Sequence, residues 1–144
     1  MSRTPYLIAA SVAALFAASA AAGAQASSAA RPHVIVVKLA VKAGSAPYTF
    51  EPANVVAARG DTLRFVDEEA VPHNVHFKTH PSGAKLGGIA VGPYVTSKGQ
   101  TYDVVIDSRC TDGKYEFVCD PHEMLGMKGV LTVDERTVAA NVTK

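Results

Sequence analysis

The chain has 144 residues, 48% of them apolar and 19% charged. That is enough for one well-cored domain, too little for two, and too apolar for a disordered protein. A formal net charge of +1 and the absence of a basic stripe or acidic tail exclude nucleic acid as an expected partner.

The first 26 residues open with Arg3, run through Leu7, Ile8, Val12, Leu15 and Phe16 into alanines, and end on Ala24-Gln25-Ala26. A basic start, a short apolar middle and an Ala-x-Ala end are the marks of an export signal cleaved after Ala26, or after Ala24 at the alternative site. The apolar run is shorter than the roughly 20 residues a spanning helix needs, so no membrane insertion is expected after cleavage. Cleavage after Ala26 would leave 118 residues with 13 basic and 13 acidic side chains. The expected organisation is a signal peptide over residues 1–26 and a single domain over 27–144.

After that leader every periodic segment reads as a strand. His33 to Val41 is β-branched, and Tyr48-Thr49-Phe50 and Asn54-Val55-Val56-Ala57 flank Glu51-Pro52. Arg59-Gly60-Asp61 turns into the alternating Thr62-Leu63-Arg64-Phe65-Val66. Asn74-Val75-His76-Phe77, Thr101 to Ile106, Lys114 to Val118 and Gly129 to Val133 follow. Period-two alternation bounded by Gly, Pro and Asp predicts an all-β Greek-key sandwich of seven or eight strands. Residues 80–100 hold five glycines and two prolines and read as a long connection with a short strand near 89–91. Residues 137–144 read as a frayed tail.

The segment with chemistry is Cys119-Asp120-Pro121-His122-Glu123-Met124-Leu125-Gly126-Met127. It lies between two predicted strands, so a tight loop can fold a thiolate, an imidazole and a thioether onto one ion. A thiolate selects copper, zinc or iron–sulfur chemistry, imidazole suits copper and zinc, and a thioether favours copper. Two histidines, one cysteine and a weak axial methionine make a blue-copper electron-transfer site. The second histidine is expected to be His73, which follows Pro72 just before a strand.

Cys119-x-Pro-His122-x4-Met127-x-Gly129, together with Pro72-His73-Asn74-Val75, resembles the copper segments of plastocyanins and pseudoazurins. Phe50-Glu51-Pro52-Ala53-Asn54-Val55, Gly60-Asp61-Thr62 and Phe65-Val66 resemble strands of the same family. The resemblance covers about residues 48–133. It implies an eight-stranded cupredoxin sandwich, one copper ion held by His73, Cys119, His122 and Met127, one-electron transfer and an exported location. The spacing of the family selects Met127 over Met124 as the axial ligand. It also implies that Asn74 ties the His73 segment to the cysteine loop, whereas Asp120 stands where the family more often has a neutral hydroxyl residue.

The chain is therefore expected to be a non-enzymatic, monomeric electron carrier, in the periplasm ahead of the thylakoid lumen or the cell surface. Its redox partners would dock near His122, on a patch of Pro72, Pro121, Met124 and Leu125. The alternative is a copper chaperone or store that holds Cu(I) without cycling. An oxidase or nitrite reductase would need a second copper centre, for which only His33, His76 and His80 remain. Cys110 leaves a disulfide to Cys119 open, which would abolish the site; a free or intermolecularly paired thiol is the expected state. Tyr115 is expected at a sandwich corner, His76 on the outer face of its strand, and Asp67-Glu68-Glu69 in a solvated turn.

Overall fold

The computed structural model describes residues 32–134; the expected signal peptide and the C-terminal tail lie outside them. Eight strands form two four-stranded sheets. They are β1 (Val34–Val41), β2 (Tyr48–Glu51), β3 (Asn54–Ala57), β4 (Thr62–Asp67), β5 (His76–Thr79), β6 (Thr101–Val105), β7 (Gly113–Val118) and β8 (Lys128–Val133). One sheet has the order β2-β1-β4-β6 and the other β3-β8-β7-β5. β1 pairs parallel with β4 and β3 parallel with β8, and the remaining pairs are antiparallel. The expected β-sandwich is therefore the fold observed.

Alternation drives the packing. Leu63 and Phe65 of β4, Tyr115 and Phe117 of β7 and Leu131 and Val133 of β8 are all buried, while Arg64, Glu116 and Thr132 between them reach outward. Phe117 is the hub of the core: Phe50, Phe65 and Phe77 meet it edge-on with ring centroids 4.8, 5.6 and 5.7 Å away, a geometry that aromatic quadrupoles favour. Gly129 pairs with Phe117 across β7 and β8. A Cβ at residue 129 would strike the Phe117 ring and come within 2.8 Å of the Ala53 carbonyl oxygen. The glycine two residues past Met127 is thus a packing requirement of the strand that follows the 119–127 loop.

Tyr115 does close a corner, donating to the Thr111 carbonyl at 2.6 Å and accepting from the Thr111 N–H at 2.7 Å. Three sequence expectations are revised. The short strand near 89–91 is instead a 3-10 turn, Gly87–Ile89, followed by a single bridge from Val91 to His76; Gly87 sits at φ +54°, which breaks extension. The strand expected from Asn74 begins only at His76. Asp67 is not solvated: it continues the inward series Leu63, Phe65 and is fully buried, while Glu68 pairs with Lys38 at 3.2 Å.

The connections after β1, β4 and β7 meet at one end of the sandwich. Tyr48, which starts β2 opposite Val41, there touches both His73 and His122.

Candidate metal centre

His73 lies in the connection between β4 and β5, with a backbone held rigidly. Its N–H donates to the Val95 carbonyl at 2.9 Å, and its carbonyl accepts from the Val95 N–H at 2.8 Å. The glycine-rich connection 80–100 therefore has a structural task, since its Val95 pins the histidine from the side.

Cys119 leaves β7 and caps a 3-10 turn, Asp120–Leu125. Pro121 suits the first turn because its φ is preset and its missing N–H costs no bond there. Gly126 ends the turn at φ +89°, a conformation that favours glycine. The loop closes on itself: Met127 N–H donates to the His122 carbonyl at 3.1 Å, and Cys119 N–H donates to the Met127 carbonyl at 3.2 Å. Cys119, His122 and Met127 are thereby fixed relative to one another before any ion arrives.

Three donor atoms converge. Cys119 Sγ lies 3.5 Å from His73 Nδ1 and 3.4 Å from His122 Nδ1, and the two Nδ1 atoms are 3.2 Å apart. A point equidistant from such corners lies about 2 Å from each, the length of a bond from a first-row metal ion to imidazole. With both Nδ1 lone pairs turned inward, each neutral ring carries its proton on Nε2; that atom of His73 is buried with no hydrogen-bond partner among the described residues. Lone pairs crowded at this range repel, and a shared cation turns the repulsion into ligation. These three are the one His/Cys/Asp/Glu cluster suited to a metal among the described residues.

Electrostatics favours the same outcome. Burial, followed by the proximity of His122, pushes His73 down to about 4, and burial also lowers His122. Both rings are therefore neutral at pH 7 and available as ligands. Burial raises the Cys119 thiol above its ordinary range, although backbone N–H groups of Asn74 and His122 pull the other way. The thiol holds its proton until a cation displaces it, so loading releases a proton.

Met127 is fully buried in this loop, whereas Met124 is 95% exposed. Cys110 is also buried, and neither cysteine is in a disulfide. The Cys110–Cys119 bridge is excluded, and burial removes Cys110 from pairing with another molecule.

The segment 35–134 matches the family model for copper-binding proteins of the plastocyanin/azurin family. The chain belongs to that family. Among its relatives it is 35% identical over 101 residues to plastocyanin of Scenedesmus fuscus, covering 69% of this chain and 98% of that one. It is 36% identical over 100 residues to plastocyanin of Ulva prolifera, covering 68% and 97%. Of solved structures, the Cu(I) form of a methionine-to-alanine mutant of amicyanin superposes with a TM-score of 0.52 at 30% identity, over 70% of this chain and 82% of that one. A mutant fern plastocyanin gives 0.54 at 26% identity, over 69% and 100%. The cofactor of this family member is one copper ion of the type 1 kind, and the His73, Cys119 and His122 donors fit it.

Two features of the site escaped the sequence reading. Tyr48 lies flat against His122, with ring centroids 3.7 Å apart and planes 13° from parallel. His76 is on the outer face as expected, but its Nδ1 is 2.9 Å from Asp120 Oδ1. Asp120 also accepts from Asn74 Nδ2 at 2.7 Å and donates its backbone N–H to Asn74 Oδ1 at 2.8 Å, so Asn74 does tie the two segments together. Burial alone would raise the Asp120 carboxyl, but the bonds from Asn74 and His76 hold it below the usual range. Outer position and alternation pointed to His76; nothing in its own segment pointed to a partner on the cysteine loop.

Proposed function

We propose that the protein is an exported blue-copper electron carrier in which His73 Nδ1, Cys119 Sγ and His122 Nδ1 would hold the ion, with the Met127 thioether as a fourth and weaker donor. The observation that carries this reading is the buried triangle of two imidazole nitrogens and one sulfur with sides of 3.2–3.5 Å, with Met127 buried in the same loop.

Copper bound there supplies one-electron redox chemistry. The protein's part is to keep the donors still. The Val95 bridges fix His73, the 119–127 loop closes on its own hydrogen bonds, and the Asn74–Asp120 pair joins them. Donors that do not move between oxidation states leave little to reorganise when an electron arrives. His73, Cys119 and Met127 have no exposure and His122 has 9%, which leaves no route for a substrate to the ion. This supports carriage over catalysis. It also weighs against a chaperone, whose ligands must be reachable by the recipient.

Pro121, Met124 and Leu125 on the loop of His122 and Pro72 beside His73 are all exposed, and we assign to them the docking of protein redox partners by a monomer. The leader-like residues 1–26 support export, with the periplasm as the compartment.

The visible spectrum of the copper-loaded protein tests the reading. Wild type is expected to show an intense blue charge-transfer band that bleaches on reduction. Cys119→Ser loses it and Cys110→Ser keeps it. A copper-loaded wild type without the band would overturn the ligand assignment.

A further inference from the structure

Asp120 follows Cys119 directly and divides its carboxylate between two partners. One oxygen accepts from Asn74, the neighbour of His73; the other meets His76 Nδ1 at 2.9 Å. The ligand segments of Cys119 and His73 are thus joined to a third side chain that holds no metal. Its surroundings suit proton exchange, since the His76 side chain is 27% exposed.

The groups around it are defined. Lys78, on the same strand, lies 3.6 Å from the Asp120 oxygen that His76 touches and 3.3 Å from Glu123. Glu123 in turn lies 3.9 Å from Lys128 of β8. Glu116 of β7 lines the cavity of about 320 Å³ that Lys78, Glu123 and Lys128 also line. Directly across the strands His76 faces Val118 of β7 and Val91 of the long connection, both apolar. The carboxylate that touches His76 is that of Asp120, one residue from the thiolate ligand.

We propose that His76 is a positioning residue of the redox centre and couples proton uptake to electron uptake through Asp120. The inference rests on the electron-carrier reading. Reduction adds one negative charge at the centre and leaves Asp120 in place, so the imidazolium form of His76 is favoured. In balance, the oxidised centre with neutral His76 takes one electron from its partner and one proton from solvent, giving the reduced centre with protonated His76. Linkage makes the effect reciprocal: a proton on His76 favours the reduced state, and the reduction potential rises as pH falls. The protonated pair is also a charge-assisted bond, which tightens the hold on the Cys119 segment.

The test has two arms. In the first, the potential of copper-loaded wild type and His76→Gln is measured by spectroelectrochemistry from pH 8 to pH 5, the range in which imidazoles ordinarily titrate. The wild-type potential is expected to rise toward pH 5 by more than that of His76→Gln. Subtracting the two profiles removes whatever the ligand histidines contribute. In the second, the His76 ring is titrated by NMR in the diamagnetic Cu(I) and Zn(II) forms, which differ by one charge. Proton affinity about threefold to tenfold higher in the Cu(I) form is expected for charges that interact across a partly screened interior. Equal affinities in the two forms, or superimposable pH profiles, would overturn the proposal while a blue protein left the electron-carrier reading standing. A protein that takes up no copper would sink both.

Discussion

Tyr48 forms one wall of His122, its ring stacked 3.7 Å from the imidazole and 5.9 Å edge-on from His73. The tyrosine begins β2, so the sheet without the cysteine loop contributes an aromatic support to an imidazole carried by the other sheet. Tyr48→Ala removes that wall and is expected to cost about 2–3 kcal/mol, of which the stacking itself accounts for about 1 kcal/mol. Tyr48→Phe keeps the ring and should stay within about 0.5 kcal/mol of wild type. Urea midpoints of the copper-loaded proteins measure both. Equal losses for the two variants would show that the hydroxyl, and not the ring, matters.

Burial separates the two methionines of the loop. Met127→Leu is expected to keep copper and colour while raising the reduction potential, because the thioether donates more to the oxidised ion than to the reduced one. Met124→Leu, at a position 95% exposed, should leave the potential unchanged. A shift in the Met124 variant alone, measured by voltammetry, would reverse the axial assignment.

The metal-free protein should lose stability in acid through His73. Its folded-state value of about 4 lies below the roughly 6.5 of an unfolded histidine, so the unfolded chain binds more protons between those limits. The stabilisation is complete above about pH 6.5 and is lost as pH falls toward 4, by up to about 3 kcal/mol. His73→Gln should flatten this slope in urea titrations at pH 7, 5.5 and 4.5. Copper restores stability where it binds, by mass action on the folded state.

Asp67 slopes the other way. Burial raises its carboxyl, against a hydrogen bond from the Glu69 N–H and with the charges of Glu69 and Glu68 adding to the rise. Its Oδ2 has no partner among the described residues. The folded state keeps this proton above the pH at which the unfolded chain releases it, so its contribution declines as pH rises through that window. Asp67→Asn is expected to gain about 1 kcal/mol at pH 7 and nothing near pH 3.5, read from the same kind of urea titration.

The docking surface is tested at Leu125, which is 46% exposed and contributes no metal-binding atom. Leu125→Asp is expected to keep copper and to slow electron exchange with the physiological partner about tenfold, because a carboxylate must be desolvated on contact. Stopped-flow rates at matched potentials decide it; rates equal to wild type would place the docking face elsewhere.

The strands were legible because each is half-buried, and alternation records burial on one face. The clustering of His73, Cys119 and His122 was legible because Cys119 and His122 share one short loop and Pro72-His73-Asn74 carries its own pattern. Tyr48 was hidden because its partner is on the other sheet, and no local period encodes a contact between sheets. Asp67 was hidden by its company: read as a charge run with Glu68 and Glu69 it looked solvated, though Leu63, Phe65, Asp67 already traced an inward face. Residues 89–91 misled because a short apolar run at a turn resembles a strand, and the positive φ that Gly87 adopts is not written in its neighbours.

The hydrogen bond from Cys119 N–H to the Met127 carbonyl lies one step beyond the last β7–β8 pair, Val118 with Lys128. Everything between is therefore a closed parenthesis in the sheet: β7 and β8 meet in the same register however many residues it encloses. Insertions or deletions on either side of His122 leave the core residues Phe117 and Leu131 facing the same neighbours. A lineage carrying this fold can accordingly vary the electronic character of its metal centre by indels in one short gene segment, while the rest of the coding sequence evolves under the separate demand of staying folded.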